Sequence, residues 1–165
     1  MPTPPSSSDY LANLLDRGYR EDPWHGPPTD ELLRDLDARA AAARPIAEGH
    51  SIWELVLHMT GWQGEVQLRL GGASPTYPAE GDWPEVGEPT EERWQAARAA
   101  LQASTERLQA AIAALSEEAL DRRVGVARDR PLGAGVTLRD TIQGILQHNA
   151  YHSGQIALLR RALGV

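Results

Sequence analysis

Two of the five histidines, His148 and His152, stand four residues apart in the stretch Gln147-His148-Asn149-Ala150-Tyr151-His152-Ser153-Gly154-Gln155-Ile156. On an α-helix, residues at i and i+4 share one face with Cβ atoms roughly 5 to 6 Å apart, close enough for both imidazoles to grip one metal ion. A third ligand must come from another segment, and the best candidate is His58, which ends the run Ser51-Ile52-Trp53-Glu54-Leu55-Val56-Leu57-His58. The chain contains no cysteine, so any metal site has to be built from His, Asp or Glu. Three neutral imidazoles leave at least one coordination position open, the layout of a catalytic rather than a closed structural site. Nitrogen donors suit zinc, nickel or iron alike, and affinity order does not choose among them. The competing account is that such histidines are buried and bonded to backbone carbonyls, with the spacing arising by chance.

Other residues are placed to support such a site. Gln155, three positions beyond His152, could orient an imidazole or bond a ligand, against the alternative of a helix-packing amide. Glu65, two turns beyond His58 on nearly the same face, is a candidate general base, against the plainer account of a solvated carboxylate. Trp62, one turn after His58, could wall a pocket, while the tryptophans in general read as core anchors in a chain without Phe. His25 lies in a Pro-rich loop that could cover the site, although loop histidines are usually solvent-facing or structural. Asn149 and Tyr151 flank the histidine pair at other angles and read as packing or surface residues; His50 is most simply an N′ residue ahead of a helix.

The elements that must position these groups are helical. Tyr10, Leu11, Leu14 and Leu15 predict a helix over about 8–19, followed by a loop through Pro23-Trp24-His25-Gly26-Pro27-Pro28. Thr29 or Asp30 has N-cap chemistry for a second segment reaching Ala43 and stopped by Pro45. Ser51 and Glu54 form a capping box, and Ile52, Leu55, Val56, Met59, Trp62, Val66 and Leu70 keep the 3.6-residue period until Gly71-Gly72. Residues 71–89 are rich in glycine and proline and too long for a simple antiparallel connection, which suggests a crossover between two parallel helices. Thr90 caps a third long helix running to Leu115, Ser116 a short turn, and the chain loosens over 124–135. Thr137 and Asp140 open a final helix ending at Leu163 with Gly164 as C′ residue. One stripe of it reads Thr141, Ile145, His148, His152, Gln155 and Leu159. No strand pattern competes, and the expected fold is all-α with four principal helices, the two N-terminal pieces counted as the first.

Length and charge bound the rest. A chain of 165 residues and 18.0 kDa fits a single domain over 1–165, with the Pro- and Ser-rich residues 1–8 expected to be a flexible tail rather than a signal peptide. All 16 basic residues are arginine, and 23 acids outweigh them to a formal charge of -7, which disfavours nucleic acid as a partner. No apolar run approaches the ~20 residues of a membrane span, and a cytoplasmic location is the default expectation.

The run ending in His58, the segment from Gln147 to Ile156, Trp24-His25-Gly26-Pro27 and the Thr90-Glu91-Glu92-Arg93-Trp94 opening of the third helix together resemble the DinB family, also described as DinB/YfiT-like. The resemblance covers most of the chain. It implies a four-helix bundle of up-down-down-up order, whose parallel step matches the long 71–89 connection. It also implies a metal-binding histidine triad, which by motif position falls on His58, His148 and His152. Relatives include transferases that use low-molecular-weight thiols such as bacillithiol, and a mycothiol-dependent maleylpyruvate isomerase. The expected function is therefore that of a divalent-metal-binding protein, either a hydrolase or a thiol-dependent S-transferase acting on a small-molecule substrate. The alternative is a non-catalytic bundle that binds metal or ligand for stability or sensing. A homodimer is a further implication of the family.

Overall fold

The computed structural model describes residues 5–125, 132, 133 and 135–165. Seven helices follow one another among them: α1 (Ser7–Arg20), α2 (Thr29–Leu33), α3 (Ala38–Ala42), α4 (Ile52–Leu70), α5 (Glu91–Ala113), α6 (Glu117–Leu120) and α7 (Leu138–Leu163). Among the described residues there is no strand, only an isolated bridge between Arg123 and Thr137. The protein is all-helical, as the periodicity predicts.

The caps explain where the long helices begin. At α4, Ser51 Oγ accepts from the Glu54 amide at 3.2 Å and the Glu54 carboxylate accepts from the Ser51 amide at 2.7 Å, closing the capping box. Thr137 and Asp140 do the same at α7. Each such cap is worth about 1 kcal/mol, so these two helices have sharply defined first turns. Gly164, at φ 75°, adopts the left-handed conformation that ends α7. Thr90 caps α5, which stops at Ala113, short of the expected Leu115.

Three N-terminal expectations are revised. Helix α1 begins at Ser7 with Ser6 as its cap and Ser8 buried, inside the stretch 1–8 expected to be a tail. Residues 1–4 of that stretch, and 126–131 and 134 of the loose segment 124–135, lie outside the described residues. The segment 29–43 is two helices, not one, because Asp37 breaks it by accepting from the Ala40 amide at 2.7 Å and so capping α3. Neither Thr29 nor Asp30 is the N-cap of α2. Pro28 occupies that position, and the Thr29 hydroxyl instead shares a 2.8 Å hydrogen bond with Ser153 of α7.

The four long helices α1, α4, α5 and α7 form a ring of contacts, α1 on α5, α5 on α4, α4 on α7 and α7 on α1. Two apolar clusters fill it. One gathers Trp53, Trp94, Leu101 and Ile156 with the small helices; the other joins Leu11, Leu15, Val66, Leu108 and Ile142. Trp94 Nε1 donates to the Leu36 carbonyl at 2.6 Å, so the gap between α2 and α3 keeps its backbone acceptor satisfied. Between α4 and α5, Thr105 Oγ1 donates to Gln63 Oε1 at 3.1 Å in the buried seam. No described helix is long and apolar enough to cross a membrane.

Candidate metal centre

His58 sits at the end of the second turn of α4 with a relative exposure of 5 %, and His148 and His152 sit mid-way along α7, the helix packed against it. The four-residue spacing puts both α7 imidazoles on the side facing α4. The three Nε2 atoms converge: His148 Nε2 lies 2.9 Å from His58 Nε2 and 3.1 Å from His152 Nε2. Four tetrahedral ligands at the usual Zn–N length stand about 3.3 Å apart, so these two pairs need only a few tenths of an ångström of spreading to admit an ion, and all three ligand nitrogens lie within 4.8 Å of one another. The triad is the group of His, Asp and Glu side chains among the described residues that could hold one.

The far nitrogens decide the tautomers. His58 Nδ1 lies 2.7 Å from the Asp82 carbonyl oxygen, which can only accept, so the proton belongs on Nδ1 and the Nε2 lone pair faces the cluster. His152 Nδ1 lies 2.6 Å from Gln155 Oε1 and is fixed in the same sense. Among the described residues, His148 Nδ1 is buried without a partner, as is Oδ1 of its neighbour Asn149. With two Nε2 lone pairs turned inward, the one proton that His148 can place on Nε2 satisfies only one of them. The lone pair left over calls for a cation, which is the fit a metal ion would have here.

Electrostatics favour the ligand form. Burial, reinforced by the neighbouring His152 and His58, pushes the His148 pKa down from 6.5 to about 4. Burial likewise lowers that of His152. Both imidazoles are therefore neutral, with lone pairs available, through the physiological range.

The crossover 71–89 supplies the rest of the surroundings. Gly61 on α4 leaves room for Pro78, whose Cβ would stand 3.1 Å from a side-chain Cβ at that position. Gly81 follows in a turn at φ 85°, its amide donating to the Pro78 carbonyl at 2.9 Å. Asp82 and Trp83 then lie over His58. The Asp82 carboxylate accepts from Trp62 Nε1 at 2.8 Å, and the Trp83 ring stacks on His58 with centroids 3.9 Å apart and 8° between planes. On its other face Trp83 stacks on His50 at 3.5 Å and 6°, so one indole is sandwiched between two imidazoles.

The expected supporting residues separate accordingly. Gln155 and Trp62 are at the site, the first holding His152 and the second half-buried with its ring 6.3 Å from that of His58. Glu65 is not: it is buried, paired with Arg69 on its own helix, and accepts from the Thr76 amide at 2.9 Å. It is neither a free base nor a solvated carboxylate. His25 is exposed, in a loop whose Trp24 is fully exposed, and it borders a separate apolar cavity of about 270 Å³ with Met59 and Asn149. Only Trp53 and Trp94 are core anchors of the kind expected for the tryptophans. Asp82, Trp83 and His50 were missed as site residues. The one signal for them was Gly81-Asp82-Trp83-Pro84, an aromatic held between turn-forming residues.

No curated protein matches the chain. The family model of the DinB superfamily matches residues 26–156, a span that contains all three histidines, the crossover and the opening of α5. By that match the chain belongs to the DinB superfamily.

Proposed function

We propose that this protein is a metal-dependent enzyme acting on a small molecule, a thiol-dependent S-transferase before a hydrolase, in which His58, His148 and His152 hold one divalent ion of zinc, nickel or iron. The observation that carries the reading is the convergence of three Nε2 atoms whose rings are locked from behind at His58 and His152. Three nitrogens leave a coordination position for a ligand. Bound there, the metal would lower the pKa of a low-molecular-weight thiol and so supply the nucleophile.

Two features of the protein's own residues support reading the ligand as a thiol before water. Activating water for hydrolysis is helped by a free carboxylate base; Glu65 is taken up by Arg69 and Thr76, and Asp82 Oδ1 accepts from Trp62 Nε1 beside His58 Nδ1. Trp83, stacked on His58, and Trp62, bonded to Asp82, make one wall of the site aromatic. The scaffold is read as a four-helix bundle of up-down-down-up order. In support, Trp53 meets Trp94 near the starts of α4 and α5 while Gln63 meets Thr105 further along both, as parallel neighbours would.

The test is a screen of metal-reconstituted protein for conjugation of low-molecular-weight thiols to a chromogenic electrophile. Metal-dependent conjugation that disappears in His148→Ala is the expected result. Ester hydrolysis without any thiol would replace the transferase by the hydrolase, and loss of the fold on chelation with no turnover of either kind would make the bundle a structural metal protein. A homodimer would appear as twice the 18.0 kDa mass in light scattering.

A further inference from the structure

The cavity of about 270 Å³ bordered by the 22–28 loop has none of the three triad histidines in its lining. Met59 and Asn149, which do line it, each directly follow a triad histidine. One residue is about 100° around a helix, so the cavity and the metal centre occupy different faces of α4 and α7. Leu14 and Leu15 on α1 and Leu146 on α7 make the walls apolar. An apolar cavity of about 150 Å³ already takes benzene, so this one has room for a substituted ring.

One polar group on the inner wall is left over. Gln63 is 1 % exposed and lines the cavity together with Thr105. Its Oε1 accepts from Thr105 Oγ1 at 3.1 Å, and the same hydroxyl stands 2.9 Å from the Leu101 carbonyl. The second arm of the Gln63 amide has no hydrogen-bond partner among the described residues, and, unlike Asn149 Oδ1, it is not sealed off by packing. The space it borders is the cavity.

The Thr105 hydroxyl has a single proton for two neighbours. Donated to Gln63, it leaves the amide nitrogen toward the cavity. Donated to Leu101, it lets the amide turn its nitrogen to Thr105 and its oxygen to the cavity. A ligand hydroxyl both donates and accepts, so it matches either orientation, whereas a carbonyl matches one. Water is poorly held here, because it takes about two to four polar partners and this wall offers one. Charged ligands fit worse still. No acid is among the described lining residues to receive a cation, and a carboxylate on the inner wall would lose its water without gaining a counter-charge. The charged side chain of the lining is Arg17, half-buried and bonded to the Asp22 carbonyl of the loop, while partial burial lowers the pKa of His25 and keeps it neutral at pH 7.

We propose that this cavity is a second small-molecule site, which binds a compact, uncharged alcohol or phenol with its hydroxyl on Gln63 and its apolar frame against α1 and α7. The site stands independently of the metal-enzyme reading.

The experiment is NMR titration of the full chain, metal-loaded and chelator-stripped, with 4-propylphenol, 4-propyltoluene and 4-propylbenzoate, which share one frame and differ at one end. The phenol should bind both preparations equally, and at least about tenfold more tightly than the benzoate. Gln63→Leu leaves Thr105 its bond to Leu101 and should shift the phenol-to-toluene affinity ratio by at least about tenfold toward the toluene, with metal content unchanged. Gly18→Leu adds a side chain to the α1 wall, where a Cβ meets only His25 Nε2, at 3.7 Å, and should weaken phenol and toluene alike by about tenfold or more. Circular dichroism checks both folds, and Gly18→Leu with the benzoate comparison decides alone if Gln63→Leu does not fold. Absence of phenol binding at millimolar concentration, benzoate binding as tight as the phenol's, a ratio unmoved by Gln63→Leu, or indifference to Gly18→Leu overturns the proposal. So does phenol binding that requires the metal, which would put the oxygen on the ion instead. Phenol binding to a protein that takes up no metal keeps this site and loses the enzyme reading.

Discussion

Two loops of this protein have nearly the same vocabulary and opposite roles. Residues 22–28 read Asp-Pro-Trp-His-Gly-Pro-Pro, and residues 81–84 read Gly-Asp-Trp-Pro. Trp24 is fully exposed, and its neighbour His25 stands apart from the triad. Trp83 is clasped between His50 and His58, and Asp82 fixes a metal-competent tautomer through its carbonyl. What separates them is the surface each is delivered to. The crossover must travel along α4 to reach the start of α5, and Gly61 lets it lie against that helix at Pro78, a few residues before the turn that presents Asp82. The loop after α1 has only to reach α2, and nothing obliges its aromatic to meet the histidines.

Substitutions can break or sharpen this contrast. The largest effect belongs to the triad that only one of the two loops covers: His58→Ala or His148→Ala should lower divalent-metal affinity by at least about 100-fold, measured by competition with a chromogenic chelator. Next come the two tryptophans. Trp83→Ala should lower metal affinity by about tenfold, as loss of groups that orient metal ligands typically does, and cost about 2 kcal/mol in urea melts through lost stacking on both imidazoles. Trp24→Ala should change stability by less than about 0.5 kcal/mol and leave metal affinity alone. Equal effects at Trp83 and Trp24 would erase the distinction.

Acid provides a smaller and separate effect in metal-free protein. His148 has a pKa of about 4 when folded against 6.5 in the unfolded chain, because burial and the neighbouring His152 and His58 disfavour its charged form. Between those values the unfolded chain binds a proton that the folded chain refuses. Stability is therefore level above pH 6.5 and falls as the pH drops toward 4, by on the order of 1–2 kcal/mol once solvent screening is allowed for. Chemical melts at pH 7 and pH 5 measure it, and His148→Gln should remove much of the slope.

The helical frame was readable because it is written in local signals. Ser51 with Glu54, and Thr137 with Asp140, are self-contained caps, and the four-residue histidine spacing fixes a helix face without knowledge of the partner helix. Periodicity also brought Glu65 to the same face as His58, but it could not report that Arg69, one turn on, would claim that carboxylate. Asp37 shows the limit in the other direction: an Asp inside an Ala- and Leu-rich run is as compatible with one helix as with two, and its bond to Ala40 decides. Asp82 and Trp83 were hidden for a further reason. Their roles come from tertiary docking of a nonperiodic segment, and Asp82 acts on His58 through a backbone carbonyl that any residue carries.

The central claim is that three imidazole nitrogens bind one divalent ion. X-ray absorption spectroscopy on protein reconstituted with zinc or nickel, with the metal quantified per chain, tests it most directly. The account predicts one ion per chain with three histidine nitrogens in its coordination shell, falling to two in His58→Gln. An uptake well below one ion per chain, or a shell with fewer than three histidine nitrogens in the wild type, would contradict it.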